Sequence, residues 1–181
     1  MTRHLLHFIC GSTGAGKTTY AVTLCAEIGA VRFSIDKWMA ALFWMDTPRP
    51  LDSAWSIERV ERCRLQMWRT ATDIARRGVP VVLDWGFGSA KQRAHYADLA
   101  AKASLPVKLH YLDIPAEERW RRVRLRNNNR GASYQLPFDV TREMFDFVES
   151  MWEPPTAAEL AAFGGGSSDP ASAAASIAAD S

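Results

Sequence analysis

The 181-residue sequence is poor in the features that would staple it, insert it into a bilayer or coat it onto a polyanion. Its three cysteines, Cys10, Cys25 and Cys63, are an odd number without a C-x-x-C pair. That excludes a disulfide framework and argues for a reducing compartment, so a cytoplasmic location is expected. No apolar run approaches the roughly 20 residues that span a bilayer, and no cationic start followed by a long apolar stretch marks a leader. Charge of one sign is also missing: 22 Lys and Arg stand against 20 Asp and Glu, a net +2. So even a balance excludes a nucleic-acid coat or a membrane-surface protein, and no membrane partner is expected. The histidines offer no metal pair, because His4 and His7 on a strand point to opposite faces. There is no internal repeat, and nothing in the pattern calls for more than a monomer.

What is present is a chain with 48% hydrophobic residues, enough for one core of its own. Short apolar runs alternate with helical patterns. Strands are expected at Leu5 to Cys10, Val31 to Ile35, Val79 to Leu83 and Val107 to Ile114. Helices are expected from Lys17 to Ile28, Asp36 to Met45, Ser53 or Ser56 to Arg77, Ser89 to Ala103, Pro115 to Arg126 and Thr141 to Met151. Strand–helix alternation predicts an α/β sandwich with a parallel sheet. From Gly164 the sequence collapses to Gly, Ser and Ala, too little apolar surface to offset ordering entropy. The expected division is a domain over 1–160 and a flexible tail over 161–181.

The most specific motif is Gly11-Ser12-Thr13-Gly14-Ala15-Gly16-Lys17-Thr18, followed by Thr19. It fits G-x-x-x-x-G-K-[ST] after an apolar strand and before a helix, the context in which such a loop wraps a triphosphate. Glycines let backbone N–H groups converge on the phosphates, and the helix N-terminus adds positive potential. Lys17 is expected on the β and γ phosphates and Thr18 on Mg²⁺, with ATP as the nucleotide. No Asn-Lys-x-Asp element follows that would read guanine. A chain this short, with an arginine-rich stretch late in sequence, suits a nucleoside-kinase-like architecture.

Three further features surround that loop. Asp36 follows the second strand at the sheet edge where such folds bind ligands, so it can accept the proton of an attacking hydroxyl or merely cap the next helix. Asp84 closes Val81-Val82-Leu83, an apolar strand with a terminal aspartate, where it can serve the metal or the acceptor. The run Arg119, Arg121, Arg122, Arg124, Arg126 and Arg130 places Arg119, Arg122 and Arg126 on one side of a helix. Arg126 and Arg130 are expected in a lid over transferring phosphate, and Arg121 and Arg124 on the surface. The Trp85-Gly86-Phe87-Gly88 loop is expected beside the acceptor. Trp38, Phe43 and Trp44 follow Asp36 and can line the acceptor site, whereas Trp55, Trp68, Trp120 and Trp152 are expected to pack in the core.

These residues together resemble the AAA_33-type P-loop kinases, which include the 5′-hydroxyl kinase domain of bacteriophage polynucleotide kinase and have chloramphenicol phosphotransferase and the zeta toxins as relatives of similar architecture. The resemblance covers about residues 5 to 160, through GSTGAGKTT, Asp36, VVLD ending at Asp84, the Arg126-Asn127-Asn128-Asn129-Arg130-Gly131 segment and the closing Trp152-Glu153-Pro154-Pro155. It implies a three-layer P-loop NTPase fold with a parallel sheet of the nucleoside-kinase type, about four or five strands, the first and third adjacent. It implies Lys17, Asp36, Arg126 and Arg130 as catalytic, with Asp36 the base and Arg130 the lid arginine. Gly11 to Thr19 and Arg130 would bind ATP and Thr18 would serve Mg²⁺, while Asp84 matches the family's acceptor-side aspartate, so that service to the metal or to the acceptor both stay open for it. The implied reaction moves a γ-phosphoryl group to an unidentified hydroxyl acceptor. Where the phage enzyme carries an arginine three residues after its base, this sequence has Met39, with Lys37 beside Asp36 instead. A nucleic-acid end therefore stays open as acceptor but disfavoured. An ATP-dependent switch acting on a partner through the Arg119 to Arg130 face, and a zeta-like nucleotide-sugar kinase, are the alternatives.

Overall fold

The computed structural model describes residues 5–50, 52–128, 138–164 and 166–167. Strands β1 (Leu6–Cys10), β2 (Val31–Ser34), β3 (Val81–Gly86), β4 (Val107–Tyr111) and β5 (Gly166–Ser167) form one sheet in the order β2-β3-β1-β4-β5. Every pairing is parallel, and the first and third strands are neighbours as expected. Parallel strands need crossovers, which are supplied by α1 (Lys17–Ile28), α2 (Ile35–Phe43) with α3 (Ser53–Arg76), and α4 (Ala90–Lys102). Helices α5 (Ala116–Asn128), α6 (Arg142–Ser150) and α7 (Ala157–Ala162) follow β4.

The sheet is covered on both faces, which is why its strands read as apolar runs rather than alternating ones. Ile9 and Val82 pack on one face with Ala21 and Leu24 of α1. Leu6, Phe8, Val81 and Leu83 pack on the other with Met67 and Trp68 of α3 and Tyr96 of α4. The histidines inside β1 and β4 are tolerated because they satisfy each other: His7 Nδ1 lies 2.9 Å from His110 Nε2, and the Tyr20 hydroxyl lies 2.7 Å from His110 Nδ1. A smaller cluster of Val123, Val140 and Phe145 joins α5 to α6.

Several boundaries differ from the sequence reading. Asp52, rather than Ser53 or Ser56, caps α3, accepting from the N–H groups of Ala54 and Trp55. β3 continues through Gly86, and Trp85 and Phe87, expected in a loop, lie in the core against Phe8 and Tyr96. Helix α7 was missed and straddles the expected boundary at residue 160, held by a Thr156–Glu159 capping box. Gly166–Ser167, in the stretch expected to be tail, pair with His110 and Tyr111. No helix among the described residues is long and apolar enough to cross a membrane.

Candidate active site

The loop between β1 and α1 keeps donors open at its helix end, whereas the Gly11 N–H is taken by the Gly86 carbonyl at 3.1 Å and the Ala15 N–H by the Ser12 carbonyl at 3.2 Å. Gly16 stands at the N-cap of α1 with φ 89°, and no side chain caps that end among the described residues. The first-turn N–H groups therefore stay available to an anion, and the helix dipole adds to their pull. Gly14 is needed for another reason. Its φ is 80°, and a Cβ there would fall 2.4 Å from the Arg119 carbonyl oxygen, because α5 lies directly on the loop.

Arg119 fastens that contact. It is 4% exposed and donates to the carbonyls of Ile114 and Thr13, at 2.8 and 3.3 Å. Its guanidinium forks onto both Glu149 oxygens at 2.7 Å, and the Ser12 hydroxyl donates to Glu149 Oε2 at 3.1 Å. Hydrogen bonds from Arg119 hold the Glu149 carboxyl below its ordinary range. Arg119 thus supports the loop from below, which corrects its place in an exposed arginine face. Arg121 and Arg122 of the same run pair with Glu118, and Arg121 and Arg124 are exposed as expected.

Lys17 Nζ donates to the Ser12 carbonyl at 2.9 Å, so the ammonium is held within the loop. Burial pushes its pKa down, opposed by Asp84 and Asp36. The Thr18 hydroxyl lies 3.5 Å from Asp84 Oδ2, and Asp84 is 5% exposed. These are two hard oxygen donors at the foot of a phosphate loop, a fit for Mg²⁺, which takes few protein ligands and keeps waters and phosphate oxygens for the rest. No group of three His, Cys, Asp or Glu forms a metal site of another kind among the described residues. Arg32, which the sequence reading passed over, donates to Asp84 Oδ2 from Nε at 3.2 Å and Nη2 at 2.7 Å. Its only sequence signal was a cation inside an otherwise apolar strand.

Asp36 sits in the first turn of α2, but the cap is Ser34, whose hydroxyl accepts from the Lys37 N–H at 3.4 Å. The carboxylate is therefore free of the capping duty considered for it. Its surface is open to the cleft, yet the protein crowding that cleft raises its pKa, with Lys17 opposing and Asp84 reinforcing the rise. Arg126 and Arg32 are the other cations that act on it. Asn127 clasps Val140 through both its amide atoms, at 2.9 and 3.3 Å, and so ties the end of α5 to the segment entering α6. Arg130, the expected lid arginine, lies outside the described residues with Asn129 and Gly131.

Beside Asp36 opens a cavity of about 500 Å³ walled by Met39, Phe43, Trp44, Trp55, Phe138 and Met144. Phe43 and Trp44, the aromatics expected to line an acceptor site, are among its wall residues. Trp38 instead packs edge-on against Phe33, and Trp55, expected in the core, forms part of the cavity wall.

The AAA_33 family model, described as an AAA domain, matches residues 6–151. No curated protein matches the chain. Among solved structures, the chain is similar to a kinase candidate from Chloroflexus aurantiacus, with TM-score 0.63 and 18% identity over 86% of this chain and 80% of that one. It is similar to Chaetomium thermophilum Kti12 in complex with ADP-AlF3, with TM-score 0.61 and 17% identity over 84% and 82%. It is also similar to the Mycobacterium tuberculosis APS kinase CysC in complex with AMPPNP and APS, with TM-score 0.53 and 18% identity over 83% and 96%. These identities speak for a shared P-loop kinase fold. The family match spans most of the chain and contains the phosphate loop, Asp36 and Asp84, and on that ground the protein belongs to the AAA_33 family of AAA-domain proteins.

Proposed function

We propose that the protein is an ATP-dependent phosphotransferase that moves the γ-phosphoryl group of Mg-ATP to a hydroxyl acceptor. The observation that carries this reading is the meeting of Lys17, Asp84 and Asp36 at one sheet edge, with Asp36 released from capping and facing a ligand-sized cavity. A loop that only held nucleotide would need neither the carboxylate nor the cavity. The nucleotide complexes of the similar Kti12 and APS kinase folds support the choice of donor.

The residues divide the work. Open backbone N–H groups of the loop and of the first turn of α1 cradle the phosphates, and Lys17 spreads positive charge over the β and γ groups. Thr18 would hold Mg²⁺ directly and Asp84 would hold it through water; the ion supplies charge neutralisation on the phosphate oxygens. Asp36 orients the acceptor hydroxyl and takes its proton as the oxygen attacks phosphorus in line. Arg126 faces Asp36 electrostatically, and Arg130 follows it as the lid cation.

The reading is tested with γ-labelled ATP and a panel of hydroxyl compounds. Label should move to an acceptor, require Mg²⁺ and vanish in Lys17→Ala. Basal hydrolysis that ignores every acceptor yet rises with a protein partner would replace this reading with the nucleotide switch. Burial of Arg119 against Glu149 removes a central residue from the partner face that the switch would use.

A further inference from the structure

We propose that the acceptor is an uncharged alcohol carrying an aromatic or fused-ring body, lodged in the cavity beside Asp36. This deepens the phosphotransferase reading and rests on Asp36 as its base. The cavity, about 500 Å³, has the size of sites that enclose small organic ligands rather than a polymer chain. Nine of its fifteen described lining residues are apolar, and the aromatic ones are arranged at more than one angle. Trp44 and Phe138 stack with centroids 6.1 Å apart, while Phe43 meets Trp55 edge-on at 88°. Such walls offer both face and edge contacts to a flat ring, the two geometries that aromatic pairs prefer.

The charge in the cavity points the same way. Among the described lining residues the only cation is Arg49, and its guanidinium lies 5.8 Å over the Trp44 ring. Two carboxylates, Asp36 and Asp139, stand on the same walls. A nucleic-acid end or a nucleotide sugar would bring phosphate charge into this lining. The apolar majority of this lining gives such a phosphate few polar partners, and desolvating an anion there is unfavourable. Met39, one helical turn beyond Asp36, adds a thioether to the wall, a soft and adaptable contact for an apolar ring. A neutral alcohol meets no such cost, and its hydroxyl is the polar group that Asp36 can bind.

The step balances without further reactants. The acceptor oxygen forms a bond to the γ-phosphorus, the bond from that phosphorus to the β-bridging oxygen breaks, and ADP leaves with the electron pair. The hydroxyl proton passes to the Asp36 carboxylate. The product is a phosphate monoester of the alcohol.

The test supplies γ-labelled ATP with 4-biphenylmethanol, 2-naphthylmethanol, a 5′-hydroxyl oligothymidylate and UDP-N-acetylglucosamine in parallel. Calorimetric binding of ATP and of 4-biphenylmethanol is measured separately. Label should enter the aryl alcohols at least tenfold faster than the two phosphate-bearing acceptors. Ala40→Trp, which fills the cavity, should weaken 4-biphenylmethanol binding at least tenfold. Should Ala40→Trp fail to fold, Met39→Arg places a cation in the same wall and should lower aryl alcohol transfer while raising oligonucleotide labelling. Faster label on the oligonucleotide or the nucleotide sugar would overturn this inference and leave the phosphotransferase reading intact. ATP that fails to bind, with 4-biphenylmethanol still held and lost in Ala40→Trp, would overturn the phosphotransferase reading and leave the cavity assignment standing.

Discussion

Ser34 and Asp36 divide two tasks that either residue type could perform at the start of α2. Because Ser34 takes the cap, Asp36 is left with a carboxyl that the crowding of the cleft raises and Lys17 restrains. A general base works only when deprotonated, so kcat/KM should fall as pH drops through a value above the ordinary aspartate range. A profile flat down to pH 4 would contradict the role. The stability sign is opposite to that of a paired carboxylate. With its folded pKa raised, Asp36 favours the folded state in acid and loses that contribution as pH rises through the raised value. Asp36→Asn should therefore melt no lower than the parent at neutral pH. Gly14 illustrates a second residue-scale demand, since a Cβ there meets the Arg119 carbonyl at 2.4 Å while φ is positive. Gly14→Ala should cost about 2 kcal/mol or more, read from chemical denaturation, and weaken ATP binding with it. The sequence showed that a glycine belongs at position 14 in this motif, but not that a second helix rests against it.

At the scale of elements, α6 props the phosphate loop through Glu149, which takes the Arg119 fork and the Ser12 hydroxyl together. Glu149→Gln should destabilise the fold by about 2 kcal/mol, the range for hydrogen bonds to charged groups. Its pH dependence follows from the depressed folded pKa. The stability that Glu149 contributes is complete above the ordinary glutamate range and is lost as pH falls through the lower folded value. Melting curves of parent and variant should therefore converge in acid. Strands β1 to β4 and helices α1 to α6 were legible because apolar runs, Gly29 and the caps Ser89 and Thr141 carry local signals. Helix α7 was not read although Thr156 and Glu159 carry the capping-box spacing, since six residues are too few to show a period and Glu159 also reaches Arg93 across 66 positions. The role of Arg119 was hidden for the same reason: Glu149 lies 30 residues away, and a charge run does not say which member turns inward.

Across the whole molecule, Arg93 joins the parallel sheet's flank to the stretch from Glu153 to Glu159. It is fully buried, binds Glu159 at 2.9 Å, and donates to the carbonyls of Phe87 and Glu153 at 3.1 and 2.7 Å. Glu153 in turn donates its N–H to the Gly88 carbonyl, so the Trp152 to Pro155 segment is sewn onto the β3–α4 turn. Arg93→Met should cost about 3 kcal/mol, and the double variant with Glu159→Gln less than the sum of the singles. A purely additive cycle by denaturant unfolding would show that the pair is not coupled. Fold and phosphate loop could be read from local pattern, while the cavity could not, because α2, α3 and the 138–144 segment meet only in three dimensions. That meeting puts a carboxylate, a phosphate-loop lysine and a ligand-sized cavity at one sheet edge, the arrangement on which the proposed phosphoryl transfer rests. The most direct measurement compares label transfer from γ-labelled ATP by the parent and by Asp36→Asn, with ATP affinity determined on the same samples. A fall in transfer of at least a hundredfold, with ATP affinity within about threefold, is the expected result for loss of a general base. Transfer retained in full by Asp36→Asn would contradict the assignment of Asp36 as the base and, with it, the mechanism built on this site.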